Sequence, residues 1–410
     1  MGVNALTVLG GSGFNDAAVL LNSIVSQATG KTSLTATNLQ DFVSIGQTAL
    51  SVGPDPLMQA ISQVLSRPIF SVRPYSEKFA GLRADSLKWG NHVRKLSVAD
   101  TDWERDQRYY EAASDFLDNG DTVDMYKINM PNVLQTNFYG QNVVQRSVTI
   151  FRDQLNVAFS GPDELMRFVS MIMSNVSDQL AQARESTARM ALANFIGGKV
   201  AAQGAGLGTD HCIYLIDEYN TETGSSETAA TIYSPSVYQN FVRWCYGFVT
   251  TLSDRFTERT VKYQINVTNK AVSRHTPKAR QKLYISAPEL NRMRSEVLSN
   301  TFHEELLRLG DVESVGYWQS PDTPEEINVT PAYMNNSGVI VNAAAQNVTN
   351  IFGVLFDEES VMIQTVNEWS APSPFNAAGG YTNTFWHQNV RYLNDFTEKG
   401  TVLLIAESSP

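Results

Sequence analysis

The chain has 410 residues, 42% hydrophobic and 18% charged, enough to bury a sizeable core and to form two or three domains. Its 31 Lys and Arg against 42 Asp and Glu give a net charge of −11, which argues against a dedicated nucleic-acid binder. No run of about eighteen apolar residues suggests a membrane span, MGVNALTVLGGSGF lacks the regions of a signal peptide, and Cys212 and Cys245 make no disulfide framework.

Residues 1–66 carry few charges and read as short helices in a mobile arm. Leu39, Phe42, Val43, Gly46 and Leu50 fit a helical stripe, and Pro54-Asp55-Pro56 breaks the chain before a second short helix, Leu57 to Leu65. From Pro68 to about Met130, aromatic and apolar residues recur with Pro and Gly between them, without a helical period. This stretch reads as a long two-stranded excursion followed by an acidic helix, Trp103 to Leu117. It has no core of its own, so it makes sense lying on a neighbour.

Charge alternates along the same stretch. Arg67, Arg73, Lys78, Arg83, Lys88, Arg94 and Lys95 face only Glu77 and Asp85, and the segment Asp100 to Asp124 is strongly acidic. A second basic region runs from Arg255 to Arg294. Solvated faces explain any one such run, whereas alternation suits surfaces that must find complementary surfaces.

Gly161 to Gly198 predicts one very long helix. Apolar residues recur at Leu165, Phe168, Ile172, Val176, Leu180, Ala183, Met190 and Ala193; Pro162, Asp163 and Glu164 suit its start, and Gly197-Gly198-Lys199 its end. At ~1.5 Å per residue the rod is on the order of 50 Å long. Too few strong leucines occupy the seam for a coiled coil. AAQGAGLGTD follows as a small-residue linker and HCIYLID as a strand. Ser234-Pro235 begins a helix to about Phe256, with Val237, Phe241, Trp244, Phe248 and Leu252 on one face. KLYISAPELNRMRSEVLSN joins a strand to a helix, with Ser286 and Glu289 at capping-box spacing. GVIVNAA, IFGVLF and SVMIQTV read as buried strands, and TFWHQNVRYL with TVLLIAE as a closing hairpin. The class is α+β with a mixed sheet.

Catalytic signatures are weak. His303-Glu304-Glu305-Leu306-Leu307 lacks the second histidine of a zinc-protease helix, and Leu9-Gly10-Gly11-Ser12-Gly13 lacks the Gly-Lys-Ser/Thr of a phosphate loop. Gly204-Ala-Gly-Leu-Gly208 reads as a hinge. His211 and Cys212 are adjacent on a strand, so they point to opposite faces. Asp357, Glu358 and Glu359 fit a charged turn between apolar strands. The expectation is a non-enzyme with no catalytic, cofactor or metal residues.

The order of elements resembles the major capsid protein of tailed double-stranded DNA phages, the Hong Kong 97 fold, and especially its short-tailed relatives. KINMPNVLQTNFYGQNVVQRSVTIFRDQLNVAFSGPDELMRFVSMIMSNV, residues 127–176, is similar to the family's passage from the extended loop (E-loop) into the spine helix. FSVRPYSEKFAGLRADSLKWGN, residues 70–91, resembles the E-loop, and GGYTNTFWHQNVRYLNDF the closing hairpin. Nothing marks the Lys, Asn and Glu that the best-known member uses for an isopeptide cross-link.

The resemblance implies an N-terminal arm at 1–66, an E-loop and acidic helix at 67–135, and a peripheral domain with the spine helix at 136–199. An axial domain at 200–355 follows, and a return to the peripheral domain at 356–410. It implies a shell of pentamers and hexamers, icosahedral or prolate, assembled in the host cytoplasm and forming part of the virion. The copies would contact one another through Arg73, Tyr75, Phe79, Arg83, Lys88, Trp89, Arg94 and Trp103. Portal and scaffolding proteins are the implied partners, with DNA enclosed without sequence-specific binding, no membrane and no cofactor. A cellular nanocompartment shell, an enzyme with its site in 200–355 and a tail adhesin are the rival readings.

Overall fold

The computed structural model describes residues 14–29, 39–51, 77–84, 93–100, 119–120, 122, 125–126, 128, 130–159, 161–298 and 312–408. The expected helices 57–65 and 103–117, the Gly10–Gly13 loop and the His303 segment lie outside the described residues. The chain divides into two compact units. One takes in residues 1–89, 141–188 and 363–392; the other takes in 90–140, 189–362 and 393–410.

In the first unit, helices α1 (Phe14–Thr29) and α2 (Leu39–Ser51) carry apolar stripes. Leu21, Ile24, Val25, Phe42 and Ile45 are buried with Leu165, Val169, Ile172 and Val176, the first apolar turns of the long helix. These helices were expected as a mobile arm. Their stripes instead join one buried apolar cluster with the start of the long helix, and such burial contributes about 25 cal/mol per Å². A three-stranded sheet orders β12 (Val361–Pro372), β13 (Tyr381–Asn394) and β3 (Gln141–Phe151), with α3 (Arg152–Ala158) following β3. Trp386 of β13 joins the apolar cluster of the helices.

The long helix α4 spans Pro162–Gly204, 43 residues, or about 65 Å at ~1.5 Å per residue. It runs past the glycine pair that was read as its end. Gly197 and Gly198 are there for contact. A Cβ on Gly197 would lie 2.6 Å from Val329 Cγ2, and one on Gly198 2.5 Å from Phe396 Cζ. The helix ends where Gly206 turns to φ 74°, with Leu207 N donating to Ala202 O, so the expected hinge at 204–208 is a helix cap.

The second unit is built on a five-stranded sheet in the order β4 (Cys212–Tyr214), β14 (Gly400–Leu404), β11 (Ile351–Asp357), β5 (Gln281–Ser286), β6 (Val312–Val315). Helices α5 (Leu215–Thr223), α6 (Pro235–Thr257) and α7 (Ala287–Leu298) supply its apolar partners, including Phe241, Val249, Leu252, Phe256 and Met293. HCIYLID is thus a three-residue strand followed by a helix.

Other expectations are also revised. TFWHQNVRYL and TVLLIAE do not pair with each other, because β13 belongs to the three-stranded sheet and β14 to the five-stranded one. Two short pairs complete the strands, β7 (Ile327–Val329) with β10 (Gln346–Val348) and β8 (Ala332–Met334) with β9 (Ile340–Asn342); GVIVNAA holds β9, where Ile340 is 67% exposed rather than buried. The Glu289 carboxylate accepts from the Tyr238 hydroxyl and, at 3.1 Å, from Arg292 Nη1.

Candidate inter-subunit surface

Strands β1 (Val93–Val98) and β2 (Val133–Phe138) form a separate antiparallel ribbon in the second unit, in the register Val93↔Phe138 to Val98↔Val133. Alternation gives each strand two faces, and directly opposed residues share one. On β1 the usual polarity is inverted. Arg94, Leu96 and Val98 point outward and are exposed, while Lys95 and Ser97 point inward and are half-buried. Leu96 is 54% exposed, Val98 59% and its partner Val133 45%. Met125, Tyr126, Ile128 and Met130, which lead into β2, are each about four-fifths exposed. Exposed apolar side chains in such number on one narrow element are of the kind that protein–protein contacts cover.

The inward face is held by charge. Lys95 Nζ lies 2.9 Å from Asp395 Oδ2 and 2.9 Å from Glu359 Oε2, and it also donates to Glu398. Arg274 Nη1 meets Glu398 Oε1 at 2.5 Å, and Arg274 Nη2 donates to Ser97 Oγ at 3.0 Å. Just past the strand, Asp100 accepts from Ser273 N at 2.6 Å and from Arg259 Nη2 at 2.5 Å. Arg280 ties Glu358 and Glu359 together on the neighbouring turn, which is the charged turn expected between β11 and β12.

Environment sets the protonation of these groups. Burial alone would lower the Lys95 pKa, but Asp395 and Glu398 outweigh it and hold the ammonium above the usual lysine range. Burial raises Glu398, with its like-charged neighbour Asp395 adding to the effect against Lys95 and Arg274. For Glu359 burial also pushes upward, but Lys95 and Arg280 prevail and its pKa falls. Hydrogen bonds from Ser273, and Arg259 beside it, hold Asp100 low.

Of the residues expected at subunit contacts, Arg73, Tyr75, Lys88, Trp89 and Trp103 lie outside the described residues. Arg94 is exposed on the outward face of β1. Arg83 is exposed and pairs with Glu77 at 2.5 Å. Phe79 is 4% exposed inside its own chain, where Lys78 N donates to Glu185 and Ala84 N to Ile363 O, so it offers little surface to a neighbour. Lys95, counted with the basic arm, is likewise satisfied within its own chain. In the second basic region, Arg259, Arg274, Lys278, Arg280 and Arg292 pair with carboxylates of the same chain.

Cys212, the first residue of β4, and His211 just before it are both buried. Burial and Lys199 lower His211 to about 3, and burial pushes Cys212 up to about 12. Among the described residues, no group of His, Cys, Asp and Glu could hold a metal ion, and no helix is long and apolar enough to cross a membrane.

Comparison with known proteins decides the family. The sequence pattern of the Phi29-like phage major capsid proteins matches residues 21–398. The chain belongs to that family. A comparison with curated proteins found no match. The capsid structure of Staphylococcus phage Andhra is similar at a TM-score of 0.52 and 10% identity, over 82% of this chain and 86% of that one. A structure from native bacteriophage P68, described as head fiber and inner core protein gp22, is similar at 0.52 and 9% identity, over 81% and 85%. At such identities these two neighbours speak for the fold, the Hong Kong 97-type α+β capsid architecture. As a Phi29-like major capsid protein the chain forms the head shell in many copies, and its place is the virion. The phage family removes the nanocompartment and adhesin readings.

Proposed function

We propose that copies of this capsid protein join through the outward face of the β1–β2 ribbon, forming pentamers and hexamers that close an icosahedral or prolate head. The observation that carries this reading is the row Leu96, Val98 and Val133, apolar and roughly half exposed on a two-stranded ribbon. Covering such side chains contributes about 25 cal/mol per Å², and closed symmetry repeats a modest contact many times. On this reading the ribbon is part of the E-loop expected at 67–135, with β2 running on to Phe138. The unit with 141–188 and 363–392 serves as the peripheral domain, and the unit with 189–362 and 393–410 as the axial domain.

Assembly takes place in the host cytoplasm with separate portal and scaffolding proteins, and the shell encloses DNA without gripping particular bases. Support for the last point comes from the net charge of −11 and from basic residues between 255 and 294 that are already matched by carboxylates of the same chain. The role is structural and involves no reaction. Size-exclusion chromatography with negative-stain imaging of the full chain, alone and co-expressed with its native neighbours, tests the reading. Closed shells or five- and six-membered rings support it. A stable monomer under every condition overturns it.

A further inference from the structure

The two faces of the ribbon differ in the kind of force that holds them. Inward, the described apolar contribution is small: Leu134 sits with Val267 and Met334, and Ala99 is buried. The remaining attachments are ionic or polar and converge from three places. Lys95 reaches the turn carrying Asp395 and Glu398 and the turn carrying Glu359; Ser97 and Glu398 share Arg274; Asp100 holds Ser273 and Arg259. Among the described residues, Asp100 N donates to Ala271 O at 3.0 Å and Asn132 Nδ2 to Asn269 O at 3.4 Å at the same end. The ribbon is internally cohesive, since six residue pairs are in register along it. The sheet behind it rests on a broad apolar core that includes Phe241, Phe256, Ile285, Leu355 and Leu403.

We propose that the β1–β2 ribbon is an ionically latched strap, able to leave its own body as one paired unit while that body stays folded. The attachments that break on opening are charge pairs, and their separated members are stabilised by water and counterions. The contacts that persist are apolar and indifferent to salt. With a Debye length of about 3 Å at 1 M salt, against about 10 Å at 0.1 M, the open form gains from ionic strength and the apolar core does not. Local opening of this kind is expected of elements with few apolar contacts. The latch holds the outward face in one setting until a neighbour covers it, and in that use it rests on the assembly reading above.

The test is amide hydrogen exchange on the unassembled, full-length subunit. In 1 M NaCl the amides of 93–98 and 133–138 are expected to exchange about tenfold faster than at low salt, while those of β5, β11 and β14 hold their rates. Lys95→Met should give a faster ribbon rate already at low salt and weaken its salt dependence, the Asp100–Arg259 pair remaining. Because an unpaired carboxylate cluster could unfold that variant, Glu359→Gln provides a milder second test, with a few-fold acceleration confined to the ribbon. Ribbon amides that ignore salt in the native chain and are unchanged in Glu359→Gln, or that accelerate only together with β11, would overturn the latch. Particle formation is measured separately. Loss of shells in outward-face variants with the exchange pattern intact leaves both ideas standing. Normal shells from those variants, with the exchange pattern intact, defeat the assembly reading and not the latch.

Discussion

Gly198 and Phe396 occupy one space. A Cβ on Gly198 would stand 2.5 Å from Phe396 Cζ and 2.7 Å from Cε1, and Phe396 is itself stacked on Phe195 with ring centroids 5.4 Å apart. In an open helix, Gly→Ala gains about 1 kcal/mol. Here the ring must move out of its stack, so Gly198→Ala is expected to lower stability by about 1–3 kcal/mol. Gly204→Ala, with nothing within 4 Å of the new carbon, should be neutral or mildly stabilising. Thermal and urea unfolding of the two variants side by side checks this, and equal effects would show that the close approach carries no weight.

Phe42 of α2 is fully buried in the apolar cluster that also holds the first apolar turns of α4. Phe42→Ala should cost about 3–5 kcal/mol, the usual toll of an aromatic-sized cavity. A loss below about 1 kcal/mol in equilibrium unfolding would mean that these helices stand free of the long helix.

On the ribbon, Leu96→Asp with Val98→Asp changes only exposed positions, so the subunit should fold with unaltered circular dichroism and melting temperature. Shells should nonetheless fail to form, because two carboxylates would have to be desolvated at each contact. Arg94→Glu should weaken assembly less, as a rim charge does. Sedimentation of lysates separates particles from free subunits.

Lys199 is completely buried and donates to the carbonyl of Tyr263 at 2.9 Å; burial, partly offset by Asp395 and Glu398, lowers its pKa to about 7. Between pH 7 and the unfolded value of about 10.5, the unfolded chain therefore binds more protons than the folded one. The penalty of this lysine is complete below pH 7 and fades as pH rises. Lys399, lowered by burial to about 8 and bonded to the carbonyl of Phe256, acts in the same sense over a narrower window. Stability should climb from pH 7 to 9.5, and Lys199→Met should flatten that climb. A variant curve parallel to that of the native protein would show that Lys199 does not titrate there.

Much of the architecture is legible because it is local. Pro162, the acidic first turn and the repeat from Leu165 to Val176 announce the long helix, and Ser234-Pro235 with Phe241 and Leu252 announce α6. What escapes is tertiary. A glycine pair means a helix end or a close approach, and only Phe396, some two hundred residues away, distinguishes them. Two apolar runs near the end look like a hairpin until each is seen in its own sheet. Lys95 reads as part of a free basic arm because its partners are Glu359, Asp395 and Glu398. One clue was present: in VRKLSV the polar Lys95 and Ser97 share a face, and Leu96 and Val98 share the other. Such a strand must turn either its charges or its hydrocarbon to solvent, and the ion pairs decide which.

β14 lies between β4 and β11, yet it is the last of these strands in the chain. On the ribosome, every other strand of that sheet emerges before the one that joins its halves. Until Gly400–Leu404 are made, β4 and β11 have open edges and the core behind them cannot close. Closure of this sheet is thus tied to the last of its five strands to be made, and a core begun with Cys212 stays open until Gly400–Leu404 arrive.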